Sequence, residues 1–282
     1  MAFALLFAKP MSLLVRDWLN QSEAEHGLLL APVAIWLAWR AGIRKDAAPN
    51  RLLGLAMLVP AVTIRYASDL AAELFTMRMS MMLALAAIVV WHFGFRQVLH
   101  WWLPFILLGL SVPLPQVVLN AITIPLQFTA SKIGASLLTW REIPVMLTGN
   151  VIRIPGHELF VAEACSGLRS LTALLSLGVM LGGIVLRTPI SRVLLIGLAI
   201  PVAVAINGVR IFLTGFLMLF VDPKMGEGFM HLSEGWLMFV VAFAILGALA
   251  WLLGRGEDHY WPARPSSWDT TSAATTGGLA HA

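Results

Sequence analysis

The sequence predicts an all-α polytopic membrane protein with about seven or eight spanning helices and an interfacial segment on its outer face. Three observations carry this expectation. Of 282 residues, 59% are hydrophobic and only 12% charged, and mean hydropathy is +0.83. Soluble domains hold about 25% charged residues, so this chain lacks the charge to cover a water-facing surface. That excludes an ordinary soluble globule, a disordered chain and a nucleic-acid-binding domain. Uncharged apolar runs recur along the chain without the strict alternation of barrel strands. The short basic loops all fall on one side when those runs are read as alternating spans.

Taken in order, the first 20 residues suggest an additional helix interrupted by Lys9, Pro10 and Arg16. No small-residue cleavage site follows it, so no cleaved signal peptide is expected. The runs Gly27–Trp39, Leu52–Ile64, Met79–Trp91 and Trp101–Val112 fall short of the roughly 17–25 residues of a span. They reach that length by borrowing flanking polar residues such as Arg65 and His92. Ser170–Leu186, Val193–Ile206 and Gly235–Leu253 are the clearest spans. Pro60, Pro104 and Pro201 lie inside runs and are expected to kink them. Ala121–Trp140 places Ile122, Leu126, Ile133 and Leu137 at helical spacing with Gln127, Ser131 and Lys132 between them, as in an interfacial or re-entrant helix. Val145–Ile154, with Gly149-Asn150, suggests a short hairpin. The membrane domain is expected over residues 1–260, with its motif-bearing part at 113–254. The Ser-, Thr-, Gly- and Ala-rich stretch 261–282 reads as a disordered cytoplasmic tail.

Orientation follows from the basic residues. The loop with Arg40, Arg44, Lys45 and Arg51 is the most basic short connection, which places it in the cytoplasm. Alternation then places Arg96, Arg187, Arg192, Arg255 and Arg264 on the same side, with Asp46, Glu257, Asp258 and Asp269 as the acidic residues there. Asp69, Glu73, Glu142, Glu158, Asp222 and Glu227 fall outside, as does the segment Pro113–Phe160.

Three polar features interrupt apolar runs, where an ionisable residue is a functional hypothesis by default. They are Glu163-Ala-Cys165-Ser166-Gly-Leu-Arg169, Asn207-Gly-Val-Arg210, and His231-Leu-Ser-Glu-Gly235. Cys165 and His231 begin helices that descend from the outer face. Arg210 lies 18 residues beyond Arg192 on an ascending helix, roughly 27 Å at 1.5 Å per residue and close to the hydrocarbon thickness. The three side chains therefore converge at one depth. A helix N-terminus and nearby cations lower a thiol's pKa toward the nucleophilic thiolate. Histidine can carry a proton to a leaving amine. Arginine can hold an oxyanion. Blander roles stay open on these residues alone. Cys165 can be a packing residue, Arg210 a snorkelling cation or a partner of Glu163 or Asp222, and His231 an interfacial cap. Glu163 can serve as a dipole partner, Asn207 as interhelical glue and Arg169 as a topological charge.

At these residues the sequence resembles the exosortase/archaeosortase family of membrane cysteine transpeptidases. Val161-Ala-Glu-Ala-Cys165-Ser-Gly-Leu-Arg-Ser170 resembles the family's nucleophile motif. Asn207-Gly-Val-Arg210 resembles its Asn-x-x-Arg motif, and His231 followed by Gly235-Trp236 its histidine motif. Weaker similarity extends to His26-Gly27, Pro113-Leu-Pro115 and Ile143-Pro-Val through Gly149-Asn150, so about residues 26–254 are covered. The resemblance implies that Cys165 is the nucleophile, Arg210 the oxyanion-holding residue and His231 the general acid/base, with Glu163, Ser166, Arg169 and Asn207 supporting. Archaeal relatives often carry a second arginine where His231 stands, so the resemblance is to the bacterial branch. It implies an inner-membrane enzyme whose site faces the periplasm and which needs no cofactor and no metal. Its substrates would be exported proteins ending in a motif such as Pro-Glu-Pro, a transmembrane helix and a basic cluster. They would be cleaved through a thioacyl-enzyme and passed to an envelope acceptor. Two alternatives differ in class. One is an intramembrane thiol protease in which water takes the acyl group. The other is a transporter binding substrate at Arg210 and Glu163, although no internal repeat supports it. A single cysteine rules out internal disulfides and multi-cysteine metal sites.

Overall fold

The structure is a computed structural model and describes residues 2–21, 24–161, 167–222 and 228–260; the side chains of residues 160, 167–170, 228–236 and 260 are outside the description. Eleven helices are seen among the described residues: α1 (Ala2–Leu6), α2 (Ala8–Asn20), α3 (Gly27–Ala41), α4 (Arg51–Leu70), α5 (Leu74–Phe93), α6 (Phe95–His100), α7 (Trp102–Leu110), α8 (Gln116–Trp140), α9 (Gly167–Val185), α10 (Pro189–Phe220) and α11 (Gly228–Tyr260). Among the described residues four stretches are long and apolar enough to cross a membrane: Arg51–Leu70, Leu74–Phe93, Pro189–Phe220 and Leu237–His259. The shorter Gly27–Ala41 and Leu171–Val185 are also apolar. Exposed large side chains such as Leu52, Val59, Ile190, Val193 and Trp251 cover the outside of these helices. That pattern suits lipid as solvent rather than water.

The bundle has a basic end, marked by Arg40, Arg44, Lys45 and Arg51, and a sheet end. At the basic end the side chain of Gln97, fully buried, pins the chain after α3: it accepts from the Arg44 N–H (3.0 Å) and donates to the Gly42 carbonyl (3.1 Å). The Trp101 indole donates to the same carbonyl. α4 and α5 form an antiparallel hairpin of 20 residues each, about 30 Å long. Its turn is capped by Glu73, which accepts from the Phe75 and Thr76 backbone N–H groups and from the Thr76 hydroxyl. These bonds, the hydroxyl's first, hold the Glu73 carboxyl below its ordinary range.

Two of the short runs, as α3 and α7, each meet a second helix across a break in the chain. α3 starts beside the C-terminus of α7, where the His26 ring lies 3.3 Å from the Leu110 carbonyl, and ends beside His100. Above it, α2 continues toward the sheet end, with Lys9 paired to Asp69 at the far end of α4 and Asp17 paired to the buried Arg78 at 2.6 Å. Trp18 of α2 donates to the Ser111 carbonyl at 2.7 Å, so the break between α2 and α3 meets the break between α7 and α8. Pro113 and Pro115 enforce the second break, because a helix rarely continues through the residue before a proline.

α8 covers the stretch expected as an interfacial or re-entrant helix and packs along the bundle. It runs from Gln116 and packs lengthwise and parallel to α10. A Cβ on Gly134 would stand 2.5 Å from Ile211, one on Gly208 2.6 Å from Ile133, and one on Gly215 3.3 Å from Leu138. Ala130 and Gly134, four apart, thus face Gly208 in the small-residue contact that membrane helices use to approach closely. Gly134→Leu is expected to wedge the pair apart at a cost of about 1–3 kcal/mol. A lowered detergent melting temperature at unchanged membrane insertion would show it; an unshifted transition would mean that α8 does not need this contact.

The hairpin expected at Val145–Ile154 forms and gains a third strand. β1 (Met146–Thr148), β2 (Val151–Ile154) and β3 (His157–Phe160) make an antiparallel sheet in chain order, turning at Gly149-Asn150 with Gly149 at φ +66°. Ile152, Ile154 and Leu159 are buried in one cluster with Leu138 of α8 and Ile211 of α10. The sheet therefore sits on the sheet-end portions of those helices. Its exit is fixed, because Val161 is fully buried and its N–H donates to the Asn150 carbonyl at 3.0 Å.

Candidate active site

α9, α10 and α11 pack antiparallel in a shared core of Leu171, Leu174, Leu195, Ala199, Ala203, Ala242, Leu246 and Ala250. Their register is fixed at the basic end by Glu257 of α11. Its carboxylate accepts from the Arg187 and Thr188 N–H groups, at 2.8 and 2.9 Å, and from the Thr188 hydroxyl. Gly182 lies against Arg192, and Gly178 against Ile196 and Ala199. Climbing from there, the three helices reach Asn207 and Arg210 together.

Asn207 is buried, and Arg210, three residues on, shares its side of α10. Both line a cleft of about 280 Å³ closed by Leu174 of α9 and by Met238, Phe239 and Ala242 of α11. The Arg210 carbonyl accepts from the Thr214 hydroxyl at 2.9 Å. A second cleft, of about 300 Å³, lies on the other side of the same edge of α10. It is lined by Thr123, Leu126 and Gln127 of α8, Leu171 of α9, and Ala203, Val204 and Asn207. Asn207 and Ala203 belong to both. The sequence singled out Gln127 only as an interruption of an apolar pattern and did not single out Thr123. Their spacing of four on one helical face was the available signal.

Glu163, Cys165 and Ser166 lie outside the described residues. α9 begins at Gly167, two residues after Cys165, and Leu171 and Leu174 of that helix line the two clefts. Arg169 falls in the first turn of α9 and His231 in the first turn of α11, with their side chains outside the description. In the α10–α11 register Met238 faces Asn207 and Arg210. Position 231 lies seven residues nearer the sheet end, about 10 Å along the axis. Among the described residues His, Cys, Asp and Glu nowhere gather in threes, so no metal-binding set is seen there.

Long apolar helices and lipid-like exposed faces define a multi-pass helical membrane protein, with a polar edge of α10 walled by neighbouring helices. A family model described as transmembrane exosortase matches residues 18–248. The chain belongs to the transmembrane exosortase family, a family of membrane transpeptidases and proteases. Compared with curated proteins and with solved structures, it matches none.

Proposed function

We propose that this protein is a membrane cysteine transpeptidase that cleaves C-terminal sorting signals of exported proteins. The observation that carries the reading is Arg210. It is a cation lining a cleft between α9 and α11, the two helices that begin at or just beyond Cys165 and next to His231. In this reading the membrane domain fills residues 1–260 and crosses seven times: α2 with α3, α4, α5, α7 with α8, α9, α10 and α11. The basic end lies in the cytoplasm by the positive-inside rule, and the site faces the outer side of the inner membrane. Residues 261–282 form a cytoplasmic tail.

The chemistry follows from the residue types. The Cys165 thiolate attacks the carbonyl carbon of the scissile peptide bond, and Arg210 holds the negative charge that develops on the carbonyl oxygen. His231 in its protonated form gives its proton to the leaving amine as the C–N bond breaks, which leaves a thioester on Cys165. The neutral imidazole then takes a proton from the acceptor nucleophile as it attacks the thioester, and the thiolate is released. Asn207 orients the approaching chain; Glu163 and the α9 N-terminus set the field around the thiol, with Ser166 and Arg169 beside it. The recognised signal is a short motif of the Pro-Glu-Pro kind, followed by an apolar helix and a basic cluster that suits the cytoplasmic side.

The test is a trap for the thioester. A tagged sorting-signal substrate is co-expressed with the enzyme, and membranes are probed for a covalent adduct that neutral hydroxylamine releases. Its presence in the wild type and absence in Cys165→Ala is the expected result. Processing without any labile adduct in either would remove the thioacyl route.

A further inference from the structure

We infer that the α8 wall of the site receives an extended stretch of substrate polypeptide beside the bond that is cut, with Gln127 hydrogen-bonding its backbone. The inference rests on the proposed function for its substrate and adds the residue and the conformation.

Gln116, Asn120, Thr123 and Gln127 recur at spacings of four, three and four along α8, which places them on one helical face. The last two line the 300 Å³ cleft opposite Asn207, and every other lining residue, Leu126, Leu171, Ala203 and Val204, is apolar. Thr123 already donates its hydroxyl proton to the Leu119 carbonyl. Among the described residues the Gln127 and Asn207 carboxamides have no hydrogen-bond partner. A carboxamide carries two donors and an acceptor, which matches a peptide group. In apolar surroundings each such group gains by finding a partner.

The state of the bond that is cut decides what kind of chain meets this wall. A peptide bond open to attack has to be unwound, and at membrane depth its bared N–H and C=O groups cost several kcal/mol each unless protein groups satisfy them. Gln127 of α8 and Asn207 of α10 line the same cleft, so both carboxamides can serve such a segment.

The experiment uses full-length enzyme in membranes and a tagged sorting-signal substrate carrying a photoreactive amino acid within three residues of its cleavage point. Cys165→Ala enzyme holds the substrate uncut, and adducts are mapped by mass spectrometry. Adducts on Thr123–Phe128 are expected. Adducts confined to α11 or to lipid, while wild-type enzyme processes the same substrate, would overturn the assignment of α8. Failure of the wild type to process it would instead remove the function on which the inference rests. As a second readout, Gln127→Leu should raise KM about 2- to 12-fold, the range for one lost hydrogen bond, with kcat little changed. Gln127→Asn should recover part of the loss. Equal damage to kcat in both variants would mark Gln127 as structural. The mapping uses native Gln127, so it decides the matter even if Gln127→Leu fails to accumulate.

Discussion

Replacing Cys165 with alanine should bring processing of a sorting-signal substrate to background, a loss on the order of 10⁴-fold or more, while the protein still accumulates in the membrane. The size follows from the role. Removing a nucleophile removes the covalent route altogether, whereas binding and the rest of the site survive. Cys165→Ser should be nearly as inactive, because the surroundings that ionise a thiol cannot ionise a hydroxyl of far higher pKa. Inactivity of the serine variant separates the roles: a small packing residue tolerates serine, and a thiolate nucleophile does not. The readout is the ratio of cleaved to uncleaved substrate at matched enzyme levels. Wild-type rates in either variant would end the assignment.

The sequence carried the polar motifs better than it carried their surroundings. Glu163 to Arg169, Asn207 to Arg210 and His231 stood out because polar groups are rare inside apolar runs, and that signal is local. The hairpin at Gly149-Asn150 was equally local: a glycine at positive φ between two short, largely apolar stretches. What neighbours Asn207 was not local. Thr123 and Gln127 reach it only because Ala130, Gly134 and Gly208 let α8 and α10 approach closely. Read alone, Gln127, Ser131 and Lys132 suggested an interfacial or re-entrant helix. In the structure Ser131 is fully buried and donates to the Gln127 carbonyl, Gln127 faces a cleft, and Lys132 is exposed. A polar stripe in a membrane helix can face a site instead of water, and periodicity does not distinguish the two.

The short runs Gly27–Trp39 and Trp101–Val112 teach a related point. Each fell below the length of a span, which was read as borrowing from polar flanks. In the proposed reading each is one half of a passage completed by a second helix, α2 in one case and α8 in the other. The two breaks satisfy each other through Trp18, His26 and the carbonyls of Leu110 and Ser111. Backbone that leaves the helix at membrane depth needs such partners, and only the folded chain shows where they come from.

Arg210→Lys should keep the protein folded and inserted yet lower turnover about 10²- to 10³-fold, or roughly 2.7–4 kcal/mol of transition-state stabilisation. Lysine keeps a cation at the same depth on a stem of similar reach, so a residue that only anchored α10 at the boundary would tolerate it. A guanidinium holding an oxyanion would not, because its planar fork fixes two donors in one direction and an ammonium does not. The position in the cleft favours the second role. Arg210 lines the cleft together with Asn207, Met238 and Phe239, on the side of α10 that faces its helical neighbours. Substrate capture should suffer less than turnover, since the charge develops only in the transition state. The measurement is processing by Arg210→Lys at matched membrane levels, with co-purified substrate as the binding control. Loss of turnover with capture retained is the expected result. Near-normal turnover would demote Arg210 to an anchor and leave Cys165 and His231 to carry the chemistry without it.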